Sequence, residues 1–178
     1  MQKIEIKIKI DRDKLEDLEK RFDLDYSSAH WIFERTYGFF SDISREQGIF
    51  PRVKVKSDSC VAGVKIKNQE DKSYFVREEY EFEMNESDAI KMWKALGFTK
   101  VRIFEKLRKK YRYINCEICL DKLPFGIYIE IEGSKENIEE VVKDLKLSKN
   151  ERITKAYLKL ADELGLENAV FKGDEIES

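Results

Sequence analysis

Two carboxylates, Glu130 and Glu132, stand one residue apart in the stretch YIEIE (128–132). A β-strand sends alternate side chains to the same face, so this spacing sets both carboxylates side by side. Such a pair can hold a hard divalent cation, which prefers oxygen ligands. Elsewhere the same alternation sets out bases. RVKVK puts Arg52, Lys54 and Lys56 on one strand face, GVKIK does so with Lys65 and Lys67, and KLRKKYRY with Lys106, Arg108, Lys110 and Arg112. Guanidinium and ammonium groups hold phosphate oxygens. These residue types together suit one ligand: a polyanion carrying a divalent metal.

The elements that must position these groups are short amphipathic strands. The opening MQKIEIKIKI alternates Lys3, Glu5, Lys7 and Lys9 with Ile4, Ile6, Ile8 and Ile10. VREEYEFEM sets Arg77, Glu79, Glu81 and Glu83 opposite Val76, Tyr80 and Phe82. INCEICLD sets Glu117 and Asp121 opposite Ile118 and Leu120. At least seven such strands are expected. Four helices accompany them. One runs from Asp13 to Phe22 and one from Ser87, as N-cap, to Leu96. A third is capped by Ser134, and the last runs from Ile153 to Leu164 and stops at Gly165. The class is α+β with an antiparallel sheet or barrel.

Alternation alone would turn the ionic faces to water, because charged residues are mostly exposed. Three features point the other way. The charges are sorted by strand, whereas a surface built for solubility intersperses its signs. Like charges stacked on one strand face repel unless something of opposite sign lies between them. And the Glu-x-Glu pair suits a metal. If the faces turn inward on a closed barrel, its lumen has a wall of Arg and Lys with a patch of Glu. The helices then cover the apolar faces outside.

Composition narrows the classes. The chain has 178 residues, 42% of them hydrophobic, enough for a core. Charged residues make up 39%, against a usual quarter or so, yet 34 bases and 36 acids leave a net charge of −2. A general nucleic-acid binder would be net basic, so nucleic acid is not the expected partner. No apolar stretch is long enough to span a bilayer, the N-terminus is a charged strand, and Cys60, Cys116 and Cys119 form no disulfide framework. A reduced, cytoplasmic location is expected. No linker marks a boundary, so residues 1–178 are expected to form one domain, with a C-terminal helical segment at about 148–166.

In this order the segments resemble the CYTH family, also called triphosphate tunnel metalloenzymes, over roughly residues 1–145. The family's N-terminal Glu-x-Glu-x-Lys strand is matched by Lys3-Ile4-Glu5-Ile6-Lys7, with Lys3 in place of the first Glu. Arg52 and Lys54, Lys65 or Lys67, Arg77 with Glu79 and Glu81, and Lys106 with Arg108 fall on the family's basic strands. EICLDKLPFGIYIEIEG resembles its most recognisable tail, with Asp121, Glu130 and Glu132. Glu34 to Phe39 matches the second strand only loosely.

The resemblance implies a closed eight-stranded antiparallel barrel forming a tunnel, with flanking helices, and a triphosphate bound with Mg2+ or Mn2+. It implies a phosphate-binding role for Arg52, Lys54, Lys65, Lys67, Arg77, Lys106 and Arg108. Metal would be held by Glu5, Asp121, Glu130 and Glu132, and Lys7 would orient or activate the nucleophile. Attack by water makes a triphosphatase of inorganic, thiamine or nucleoside triphosphate. Attack by a ribose hydroxyl on ATP makes a class IV adenylyl cyclase. A non-catalytic polyphosphate binder, with Lys3 supplying part of the metal's charge, is the reading from a different class. The Ser134–Leu164 region offers a surface for a homodimer.

Other features read as structural. Cys116 and Cys119 lie three apart on a strand and face opposite sides, so they cannot easily share a metal. His30 is the sole histidine and reads as a packed or surface residue, so no His-based triad is expected. The aromatic stretch around Trp31, Phe33, Phe39 and Phe40 is expected in the core.

Overall fold

A computed structural model describes residues 2–25, 29–69 and 73–173. Eight strands pair antiparallel into a closed barrel. They are β1 (Gln2–Ile10), β2 (Ile32–Phe40), β3 (Ile49–Val55), β4 (Cys60–Gln69), β5 (Phe75–Glu83), β6 (Lys100–Tyr113), β7 (Cys116–Leu123) and β8 (Gly126–Glu132). The order around the wall is β5-β4-β3-β2-β6-β7-β8-β1, and β1 pairs with β5 to close it. A two-residue ninth strand, β9 (Arg152–Ile153), lies against β1 at Lys7 and Ile8. The expected eight-stranded tunnel is therefore what forms.

Among the described residues five helices lie around this barrel: α1 (Arg12–Asp25), α2 (Asp42–Glu46), α3 (Glu86–Ala95), α4 (Lys135–Asp144) and α5 (Tyr157–Glu163). Ser134 caps α4 as expected, its side chain accepting from the Asn137 amide. The cap of α3 is Asn85, two residues before the expected Ser87, whose amide donates to the Asn85 side chain. The last helix is shorter than expected. Arg152 and Ile153 are drawn into the sheet, and the helix begins only at Tyr157. Pairing with β1 satisfies backbone groups that a helical start would have left open.

The two faces of the wall have opposite chemistry, and both are buried. Ile6, Ile8, Ile118, Leu120, Ile129 and Ile131 point outward and are fully covered, chiefly by Leu15, Leu18 and Phe22 of α1 and Ile138, Val141 and Val142 of α4. Ala89 and Trp93 of α3 cover Phe39, Val53 and Ala62 on the opposite side. A strand's period of two then forces the ionic residues between them inward. Cys116 lies in the outer core, while Cys119 stands on the inner side beside Glu117; both are free thiols, as the spacing predicted. Phe39 packs outside as expected, but its neighbour Phe40 turns into the tunnel. No described helix is long and apolar enough to cross a membrane.

One position of the wall cannot grow. Gly63 on β4 lies in register between Arg52 on β3 and Glu81 on β5. A Cβ there would sit 2.7 Å from the Tyr80 carbonyl oxygen and 2.9 Å from Glu81 Cγ. The missing side chain lets Glu81 reach Arg52 across the strand between them. Gly63→Ala is expected to lower stability by about 1–3 kcal/mol, as for an overpacked site. Urea unfolding of the two chains measures it, and equal midpoints would show that the wall yields there.

Candidate functional site: the barrel tunnel

The lumen is a cavity of about 660 Å³. Of the twelve residues predicted from sequence, eleven line it: Glu5 and Lys7 from β1, Arg52 and Lys54 from β3, Lys65 and Lys67 from β4, Arg77 from β5, Lys106 and Arg108 from β6, and Glu130 and Glu132 from β8. Asp121 does not. It points to the same inner side but is fully buried beneath other lining groups, held by Arg108 Nε at 2.6 Å, by Lys106 at 3.6 Å and by the Tyr157 hydroxyl at 2.7 Å. With those three neighbours its carboxylate anchors Arg108 and α5 and is closed off from the open lumen.

Acids and bases interleave inside. Arg77, 3% exposed, reaches Glu5 at 2.5 Å, Glu132 at 3.4 Å and Glu79 at 3.6 Å. Lys7 pairs with Glu5 and, at 3.8 Å, with Glu130. Lys3 lies 3.3 Å from Glu79 and 3.1 Å from Glu132. Arg52 pairs with Glu79 and Glu81. Arg108 also contacts Glu130 at 3.2 Å. Strand pairing dictates these meetings, since Lys3 stands opposite Arg77, Glu5 opposite Glu132 and Lys7 opposite Glu130.

Burial raises the pKa of the Glu5 carboxyl, and Glu130 adds to that; Lys7 and Arg77 overcome both and hold it below the usual carboxylate value. Burial also opposes ionisation of Glu130, yet Arg108, Lys7 and Lys106 keep it well below that value. The bases of the β3–β4 wall behave oppositely. Burial first, and then Arg52 beside it, bring Lys54 down to about 8. Lys65 falls well below its ordinary value through burial and the neighbouring Arg52 and Arg77. Cations here are crowded against one another, and an anionic ligand would relieve them.

Among the described residues the lumen is lined by fourteen Lys and Arg side chains against eight carboxylates, an excess of six positive charges. The carboxylates expected to hold Mg2+ or Mn2+ are not gathered for it. Among the described residues no three Asp, Glu, His or Cys side chains are placed to hold a metal ion. Glu5, Glu130 and Glu132 are each already bridged by two cations. This donor set does not fit a divalent ion as it stands.

Sequence reading missed several lining groups. Glu34 and Thr36 enter from β2, whose match to the family is loose, although their spacing with Gly38 gives the same-face signal. Glu34 pairs with Lys106 and Lys56, both at 3.4 Å. Tyr157 enters from α5, with Lys7 and Lys106 over its ring at 5.4 and 5.5 Å. Its ring also stacks edge-on against Tyr128, which meets Phe125 in turn, so a small apolar cluster holds Tyr157 in place. Nothing in the sequence around Tyr157 marks it, because a helix outside the barrel delivers it.

A closed antiparallel barrel with an ionic lumen defines a tunnel protein, and comparison with known proteins fixes its kind. The CYTH domain model matches residues 1–157. The chain belongs to the CYTH family. A Methanocaldococcus jannaschii protein, provisionally named an adenylate cyclase, is 28% identical over 174 residues, covering 90% of this chain and 98% of the relative. Among solved structures, the Pyrococcus horikoshii PH1819 protein superposes with a TM-score of 0.71 at 22% identity, covering 91% of this chain and 99% of that one. The Hippeastrum protein HpAC1, described as revealing a dominant triphosphatase activity, superposes with a TM-score of 0.64 at 15% identity, covering 92% and 96%.

Proposed function

We propose that the chain is a phosphoryl-transfer enzyme that binds a triphosphate in the tunnel and hydrolyses it. The observation that carries this reading is the six-charge excess inside a lumen of about 660 Å³. A triphosphate is a compact polyanion of that order of charge, and it would sit among cations that now crowd one another. Phosphoryl transfer depends chiefly on positioning and charge neutralisation, which such a wall supplies. Arg52, Lys54, Lys65, Arg77, Lys106 and Arg108 would grip the phosphate chain. Lys7, as an ammonium paired with two carboxylates, has donors and no lone pair. It would therefore orient the attacking water and steady developing charge. The triphosphatase activity described for HpAC1 supports hydrolysis.

The test is to incubate the protein with inorganic triphosphate, thiamine triphosphate and ATP, each with Mg2+, with Mn2+ or with EDTA. Phosphate release from any of them supports the reading and names the substrate. Cyclic AMP with pyrophosphate replaces hydrolysis by cyclisation. No turnover under any condition removes the enzyme.

Lys54 gives a pH signature. Its ammonium is present below about 8 and is lost above it, so triphosphate affinity is expected to fall as pH rises through 8. Arginine stays charged there, so Lys54→Arg should lose this step while keeping the ionisation of the ligand itself. Calorimetric titration of both chains from pH 7 to about 10 reads the difference. Parallel profiles would show that Lys54 does not contact the ligand.

A further inference from the structure

We propose that the Lys3 ammonium occupies the place where a divalent cation would bridge the tunnel carboxylates, so that the triphosphate is held without a metal. This rests on the triphosphate reading above and adds to it a metal-independent grip.

Lys3 Nζ lies between Glu79 on β5, at 3.3 Å, and Glu132 on β8, at 3.1 Å. Among the described residues it is the lysine that joins those two carboxylates. Arg77 makes the same bridge from the other side, at 3.6 and 3.4 Å. The neighbouring pair, Glu5 and Glu130, is bridged by Lys7. Both of these acidic pairs, clustered on β5, β1 and β8, are thus already joined by positive side chains. A divalent ion there would have to displace an ammonium from two carboxylates and then sit beside it. Fixed cations also suffice for the ligand, since six positive charges remain once every lining carboxylate is matched.

Lys3 is suited to the task. Its side chain is 33% exposed and lines the lumen, so the ammonium is open to a ligand there. An ammonium has three donors. Two face carboxylates here, which leaves a third to meet a phosphate oxygen. A glutamate at the same place would reverse this. It would face Glu79 and Glu132 with Arg77 alone left to bridge them and give three carboxylates at one point, an oxygen-rich set of the kind a hard cation takes.

The experiment is calorimetric titration of the full chain, stripped with chelator, with inorganic triphosphate in EDTA and in Mn2+. Electron paramagnetic resonance of added Mn2+ runs in parallel. The native chain is expected to bind triphosphate in EDTA within a few-fold of its affinity in Mn2+, and to hold no Mn2+ by itself. Lys3→Glu should bind at least ~10-fold more weakly in EDTA, about 1.4 kcal/mol. It should recover with Mn2+ and show a bound-Mn2+ signal. Lys3→Gln should weaken in EDTA without recovery. Circular dichroism checks the fold; if Lys3→Glu does not fold, Lys3→Gln and the native comparison decide. Native binding that appears only with Mn2+, or a native Mn2+ signal, overturns the inference while leaving the triphosphate reading standing. Binding in neither buffer overturns both.

Discussion

Arg77→Ala is expected to lower the melting temperature by roughly 10 °C, the equivalent of about 3–5 kcal/mol for breaking a buried ion pair. Arg77 is 3% exposed and serves three carboxylates on three strands: Glu5 on β1, Glu79 on its own strand and Glu132 on β8. It also sits where β1 and β5 close the barrel, opposite Lys3. Without it Glu5, 1% exposed, keeps Lys7 as its ion-pair partner among the described residues. Burial and Glu130 would then push the Glu5 pKa up with one base fewer to oppose them. The sign with pH follows. A carboxyl whose folded pKa is lowered stabilises above its unfolded value and loses that contribution as pH falls through the folded one. Native and variant melts should therefore converge as the solution is acidified below the ordinary carboxylate range. Calorimetric melts across that range measure this. An unchanged melt at neutral pH would show that the cluster contributes nothing to holding the seam closed.

Arg52→Ala is expected to lower kcat/KM for the triphosphate by about 10²–10³, the equivalent of roughly 2–4 kcal/mol, by analogy with removal of one donor to a developing anion. The fold should survive, and the structure says why. Both partners of Arg52 keep a second base: Glu79 retains Lys3 and Arg77, and Glu81 retains Lys54 at 3.1 Å. No carboxylate is stranded, in contrast to the loss of Arg77. The paired measurement is steady-state kinetics with a thermal melt of the same preparation. Normal kinetics would make Arg52 a wall residue only. A collapsed melt would mean that its ion pairs matter more to the barrel than to the ligand.

The contrast between these two arginines was not legible in the sequence. Both stand on alternating strands beside valines, and both were expected to bind phosphate. Register separates them, by setting Arg77 against β1 at the seam and Arg52 against Gly63 in an open stretch of wall. Asp121 shows the same limit. Its parity on β7 is that of Glu117, which does line the lumen, but Tyr157 descends from α5 and covers it. The β2 strand was weakly marked because aromatic residues stand on both of its faces, Phe39 outside and Phe40 inside.

What the sequence determined by itself is parity. Lys3, Glu5 and Lys7 share a face, as do Arg52 with Lys54, Lys65 with Lys67, and Glu130 with Glu132, because the pleat of a strand allows nothing else. The isoleucines and valines between them had to meet helices, and that placed the apolar side. The tertiary structure decided what the ionic sides meet. Pairing of β1 with β5 closes the sheet, turns every charged face toward every other, and brings residues as distant as Lys3, Glu79 and Glu132 within 3.3 Å. Charges that would be screened separately on an open sheet are thereby confined together, away from bulk water. That confinement makes a row of lysines and glutamates into a site.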